Sequence, residues 1–286
     1  MKNNKIGLLL LVTLFCNLGF AQTESKPLII GESHVLHSAI LNENRIINIS
    51  FPDGYSPNDT LKYSVVYILD GGIKEDFLHL AGIVRFNTQP WIARFPSSIV
   101  VGIEGNSRRK DFTFAVNNTD FIEKEGFKKT SFPQYGGSES YINFIEKELQ
   151  PYIEKTYPTN GKKTIIGESL AGLLTTEILL KRPTLFNDYI IISPSLWWGG
   201  ENESLLKNAE KLLNKNLKSQ VNVYVGAPNK DEDVKMYNEA ETLYNTFKSN
   251  KNVNVKFDYM PAESHSTVIH QAVYNAFKIL YPKTAY

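Results

Sequence analysis

A chain of 286 residues is long enough for one large α/β domain, and 42% hydrophobic with 21% charged residues is a globular composition, which excludes a disordered or fibrous chain. Lys plus Arg (31) nearly balance Asp plus Glu (30), with no long run of like charge, so a nucleic-acid-binding surface is excluded as well. A single cysteine rules out a disulfide framework.

The first 21 residues stand apart. Lys2 and Lys5 precede an apolar run from Ile6 to Phe20, and the small residues Gly19 and Ala21 lie just before Gln22. This pattern predicts a secretory signal peptide over 1–21 and an exported domain over 22–286, periplasmic or secreted. The run is shorter than the ~20 apolar residues of a membrane span, so no stable membrane insertion is expected. Phe15 before Cys16 is too large for a lipidation site. Cleavage would take the formal charge from +1 to −1 and remove the only thiol.

Beyond it, 34–41 and 45–51 alternate apolar and polar residues, as half-buried antiparallel strands do. Segments 63–69, 97–103, 163–166, 189–192, 221–225 and 253–259 are short and mostly continuously apolar, as strands covered on both faces are. Helical periodicity marks 138–156, 170–181, 203–215, 233–249 and 266–281; in the first, Tyr141, Phe144, Ile145, Leu149 and Ile153 share one face. Strands alternating with helices predict an α/β fold with a mainly parallel central sheet and helices on both faces. The Gly-, Asn- and Phe-rich stretch 104–137 reads as an ordered loop over a site.

The run Lys163-Thr-Ile-Ile-Gly-Glu-Ser-Leu-Ala-Gly-Leu173 passes from a strand through a tight turn into an apolar helix. A serine hydrolase of the α/β kind carries its nucleophile at such a turn, with small neighbours two residues either side. Ser169 is the candidate nucleophile, with Gly167 and Ala171 as those neighbours; the rival reading is a helix N-cap. In this fold the acid and the histidine follow the serine. Only His265 and His270 do so; His265 lies in a loop after the last strand, whereas His270 falls inside a helix. His265 is therefore the candidate general base. His34, His37 and His79 read as structural. The acid is expected after strand 221–225, where Asp231, Glu232 and Asp233 are all open, and acidic residues there also suit a helix start. One oxyanion donor is the amide of Leu170; strand 63–69 ends in Asp70-Gly71-Gly72, whose glycines let amides turn toward a substrate.

With these pieces placed, the chain resembles the putative esterase family of α/β hydrolases, which holds esterase D-like hydrolases, enterobactin and bacillibactin (siderophore) esterases, feruloyl esterases and mycolyltransferases. The resemblance is carried by Tyr67-Ile-Leu-Asp-Gly-Gly72, Val101 to Asp111, Phe144 to Ile153, Gly167-Glu-Ser-Leu-Ala-Gly-Leu173, Ser193-Pro-Ser-Leu-Trp-Trp198 and Glu263-Ser-His-Ser-Thr-Val268, and is strongest toward the siderophore-esterase branch. It implies an α/β-hydrolase core without a separate lid domain, Ser169 and His265 in catalytic positions, and Gly72 with Leu170 at the oxyanion. Counting back from Met236, it places the acid nearest Glu232. It suggests Trp197 and Trp198 as substrate-binding residues, while Arg108, Arg109 and Asp111 read as a structural ion-pair loop. The expected activity is hydrolysis of a small-molecule or saccharide ester through an acyl-Ser169 intermediate, such as a siderophore lactone or an acylated carbohydrate. An acyltransferase of the same fold and a non-catalytic exported binding protein are the alternatives. No metal-binding motif is evident, and no cofactor is expected.

Overall fold

In a computed structural model the described residues are 24–58 and 60–283. The signal-peptide expectation lies outside them. The chain divides into residues 1–30 and 31–286. In the first part, the described residues 24–30 carry no strand or helix. Among the described residues, no helix is long and apolar enough to cross a membrane.

The second part is built on eight strands: β1 (Glu32–Ser38), β2 (Glu43–Ser50), β3 (Tyr63–Leu69), β4 (Ser98–Ile103), β5 (Thr159–Glu168), β6 (Asp188–Ile192), β7 (Val221–Ala227) and β8 (Val253–Tyr259). They form one sheet in the order β1-β2-β4-β3-β5-β6-β7-β8. The alternating β1 and β2 are antiparallel, and β2 meets β4 antiparallel. All other neighbours are parallel. Every residue of β3, β4 and β6 is buried, which is why these segments read as mostly continuous apolar runs, with Ser64, Ser98 and Asp188 as their buried polar members.

Two helices cover one face: α1 (Phe77–Thr88) and α10 (Val268–Leu280). Phe77, Leu80 and Val84 of the first, with Val268, Val273 and Phe277 of the second, pack on Val66, Ile68, Ile166 and Ile190. The other face carries α4 (Ser138–Phe144), α5 (Gln150–Thr156), α6 (Leu170–Lys181), α8 (Leu205–Asn216) and α9 (Val234–Lys248). The short helices α2 (Arg108–Asp111), α3 (Asp120–Lys124) and α7 (Gly200–Glu203) complete the set. From Leu170 to Leu180 every residue of α6 is buried, and its three polar side chains bond within the helix: Thr175 and Thr176 donate to Ala171 O and Gly172 O, and Glu177 pairs with Lys181.

Two departures from the sequence reading have local causes. Helix α1 was not expected, because its exposed Leu78 and Phe86 blur the apolar stripe. The helix expected over 138–156 contains a π turn at Ile145–Leu149, just before Pro151 near the start of α5. Proline removes an amide donor and crowds the preceding turn, and the wider turn accommodates both.

The segment 104–137 is anchored by Asp111, which accepts a 2.7 Å bond from the fully buried Arg45 of β2. Arg45 also lies 5.1 Å from the centroid of Tyr141. Removing one member of a buried pair strands the other charge. Arg45 keeps a second carboxylate, Glu43, so Asp111→Ala is expected to cost about 1–3 kcal/mol in urea denaturation, less than full stranding of the charge, and adding Arg45→Met should recover part of that loss.

Candidate active site

Ser169 sits where β5 turns into α6, with φ 58° and ψ −120°. An L-residue adopts this conformation only when its surroundings hold it there. Its amide donates to Ile192 O at 3.0 Å, and its carbonyl accepts from Ser195 N at 3.0 Å and Leu173 N at 2.9 Å. The small neighbours follow from close contacts. A Cβ on Gly167 would lie 2.3 Å from Ala171 O, and one on Gly172 would lie 2.9 Å from Ile192 O. The tight approach to β6 thus falls at Gly172, and the buried methyl of Ala171 is accommodated.

The Ser169 hydroxyl does not cap α6. It faces His265 Nε2 at 3.1 Å instead, from the loop between β8 and α10. The N-cap reading of Ser169 does not describe this geometry. Ser195 Oγ lies 3.3 Å from the same hydroxyl.

On the other side of the imidazole, Nδ1 is 2.8 Å from Ser193 Oγ, which in turn donates to Met236 Sδ at 3.0 Å. A hydroxyl has one proton. With that proton on Met236, Ser193 accepts from Nδ1–H, which leaves Nε2 as the acceptor facing Ser169. Ser193 is fully buried at φ 41°, and in the sequence it stands only within the Ser193-Pro-Ser-Leu-Trp-Trp198 segment, with no role of its own.

Of the three carboxylates left open, only Glu232 hydrogen-bonds His265, and it does so through the backbone: Oε2 accepts from His265 N–H at 2.7 Å. Asp233 is the N-cap of α9, accepting from Met236 N at 2.9 Å, and Asp231 donates its backbone N–H to Asn229 Oδ1 at 2.9 Å. Among the described residues no carboxylate hydrogen-bonds to Nδ1. Burial lowers the His265 pKa below its ordinary value; Glu232 and Asp233 oppose this, and Arg108 adds to it. The imidazole is accordingly neutral near pH 7 and able to accept a proton.

Glu168 brings a second carboxyl to the site, with Oε1 3.3 Å from His265 Nε2. Burial pushes its pKa up to about 8, against the pull of Arg108. Arg108 itself makes a forked contact with Asp70, donating from Nη2 at 2.9 Å and from Nε at 3.1 Å. At neutral pH Glu168 is protonated, and His265 Nε2 is spared a full negative charge beside it.

Of the two residues expected at the oxyanion, only Leu170 adjoins Ser169. Leu170 opens α6 beside Ser169, and a first-turn amide has no acceptor within its own helix. Gly72 does not join it: its N–H donates to Glu75 Oε2 at 2.7 Å, and the residue is buried away from the cleft. The turn after β3 folds Glu75 back onto this amide and onto Gly105 N.

A cleft of about 450 Å³ opens above Ser169 and His265. Segment 104–137 supplies Arg108, Arg109, Phe127 and Phe132 to its wall. Trp197 lines the cleft and stacks on Phe127, 5.1 Å between centroids. Trp198 does not reach it: the indole is fully buried and its N–H donates to Phe114 O at 2.9 Å. Consecutive side chains point apart, so one tryptophan serves the cleft and the other the core. The ion-pair reading holds for Asp111 with Arg45, whereas Arg108 and Arg109 also face the cleft.

Comparison with known proteins identifies the family. The family model described as "Putative esterase" matches residues 38–279. The chain belongs to this esterase family. Ferri-bacillibactin esterase BesA of Bacillus subtilis is 28% identical over 250 residues, covering 83% of this chain and 85% of that protein. An IroE-like serine hydrolase from Shewanella oneidensis superposes with a TM-score of 0.80 at 27% identity, over 90% of this chain and 81% of the other. The BES protein from Bacillus cereus gives 0.76 at 26% identity, over 92% and 100%. The fold is that of the α/β hydrolases, and the chain is a hydrolase of the esterase family.

The position of Glu168 has a consequence for stability. A carboxyl raised from 4.5 to about 8 on folding stabilises the protein most below pH 4.5, and that contribution is lost as pH rises toward 8. Glu168→Gln is thus expected to raise Tm more at pH 9 than at pH 5, by about 3 °C or more, measured by thermal unfolding at both pH values.

Proposed function

We propose that this chain is an exported serine esterase that cleaves the ester bonds of an anionic, aromatic siderophore lactone through an acyl-Ser169 intermediate. The observation that carries the reading is the 3.1 Å contact between Ser169 Oγ and His265 Nε2 at the floor of a cleft walled by aromatic rings and arginines. Export rests on the character of residues 1–21.

Ser169 Oγ attacks the ester carbonyl carbon while its proton passes to His265 Nε2. The carbonyl oxygen becomes an oxyanion next to the amide of Leu170 at the positive end of α6. The resulting imidazolium is held by Ser193 at Nδ1 and favoured by the charges of Glu232 and Asp233. Collapse of the tetrahedral species expels the alcohol, which takes the proton from Nε2. Water then repeats the sequence on the acyl-serine, releasing the acid and restoring Ser169. Ser193 sets the tautomer, and Glu232 fixes the loop that carries the imidazole.

The substrate class follows from the wall chemistry and from relatives named for siderophore esters. Besides BesA, a siderophore enterobactin esterase of Emericella nidulans is 29% identical over 111 residues, 37% of this chain and 36% of its own length. Arg109 offers a cation to an anionic ligand, while Arg108 is shared with Asp70 and Glu232 and Asp233 also line the cleft; Trp197, Phe127 and Phe132 offer faces and edges to the ligand's rings. A ferric triscatecholate lactone has both properties, its iron arriving as cargo.

The purified protein is expected to hydrolyse p-nitrophenyl acetate and triscatecholate lactones, and Ser169→Ala should reduce both rates to background. Equal activity in the variant would overturn the mechanism, and activity on simple esters but not on lactones would overturn the substrate class. Ser193→Ala strands a donor and should lower kcat roughly 10- to 100-fold. Glu232→Gln removes a charge that raises the His265 pKa, so the acid limb of kcat/KM should move to lower pH; a move upward would contradict its role.

A further inference from the structure

Helices α1 and α10 begin side by side, and their first turns hold three side chains that ester hydrolysis does not use. Asp76 occupies the N-cap position of α1, yet its carboxylate makes no cap bond. Instead Oδ1 accepts from His270 Nε2 at 2.9 Å. His79, one turn further along α1, sets its ring 4.3 Å from that of His270 with 40° between the planes. Among the described residues nothing hydrogen-bonds to the His79 ring. One donor atom from each of the three side chains falls within 4.8 Å of the others.

We propose that Asp76, His79 and His270 form a binding site for a divalent transition-metal ion of the zinc type. Two imidazoles and one carboxylate suit Zn²⁺, Fe²⁺, Ni²⁺ or Cu²⁺, whereas Mg²⁺ and Ca²⁺ prefer oxygen ligands throughout. Ligand bonds of about 2.0–2.2 Å put neighbouring donor atoms about 3–3.5 Å apart, close to the 2.9 Å between Asp76 and His270. His79 is exposed, so a side-chain rotation closes the remaining gap. Three protein ligands leave at least one coordination position open to solvent.

The spacing carried no sequence signal, since Asp76 and His79 are separated from His270 by almost the whole fold. A bound ion would clamp the first turn of α1 to that of α10, directly after the loop that carries His265. The inference stands on these three side chains and does not depend on the esterase reading.

Titration of chelator-treated protein with Zn²⁺, followed by calorimetry at about pH 7.5, where free imidazole is mainly neutral, tests it. The expected result is one equivalent bound, with affinity at least tenfold weaker in His79→Ala and in His270→Ala, and unchanged in His265→Ala. Unfolding temperatures of the metal-free variants within a few degrees of the parent, as for changes at partly exposed sites, establish that the fold is intact. His79→Gln, which keeps volume and polarity, replaces His79→Ala should that variant unfold. Absence of saturable binding, or binding that survives both helix substitutions and is lost in His265→Ala, would overturn the proposal.

Discussion

The left-handed backbone at Ser169 is the constraint on which the rest of the site depends. A residue at φ 58° between a buried strand and a buried helix is held by amide bonds from both sides and by two glycines that leave no room for a Cβ. That conformation lifts the hydroxyl off the helix it would otherwise cap and aims it at the loop after β8. The parallel strands β5, β6, β7 and β8 lie side by side, so the loops at their carboxyl ends bring Ser193, Glu232 and His265 to the same end of the sheet as Ser169. Strain in one residue is thus sustained by the packing of the whole parallel half of the sheet.

Around that residue the charges are arranged so that the histidine stays neutral until it is needed. Burial lowers the basicity of His265 and keeps Glu168 protonated, while Arg108, tied to Asp70, faces both. A fully ionised carboxylate on Nδ1, the arrangement expected from the resemblance, is replaced by a buried serine. The acidic residues act on the imidazole through space and through its backbone. In the proposed mechanism this separates the choice of tautomer from the stabilisation of the imidazolium, which a single carboxylate usually combines.

Much of this was legible in the sequence because it is local. The mostly apolar strands, the turn at Gly167-Glu-Ser169 and the loop position of His265 each follow from a few adjacent residues. What escaped notice is non-local or depends on which way a side chain points. Gly72 looked like an oxyanion donor, but Glu75, three residues on, takes its amide. Trp197 and Trp198 are neighbours in sequence and face opposite surroundings. Ser193 reaches Nδ1 from a different strand end, and the exposed apolar residues of α1 conceal its period. The aromatic and arginine wall was legible only as composition, in a stretch rich in Gly, Asn and Phe.

The central claim, that Ser169 is an activated nucleophile, is tested most directly by covalent trapping. A fluorophosphonate probe loses fluoride to an activated serine hydroxyl and leaves a stable phosphonyl ester on that oxygen. Mass spectrometry of the digested protein should find one adduct per chain, on the peptide that carries Ser169. An unmodified protein, or an adduct on Ser193 or Ser195 instead, would contradict the account.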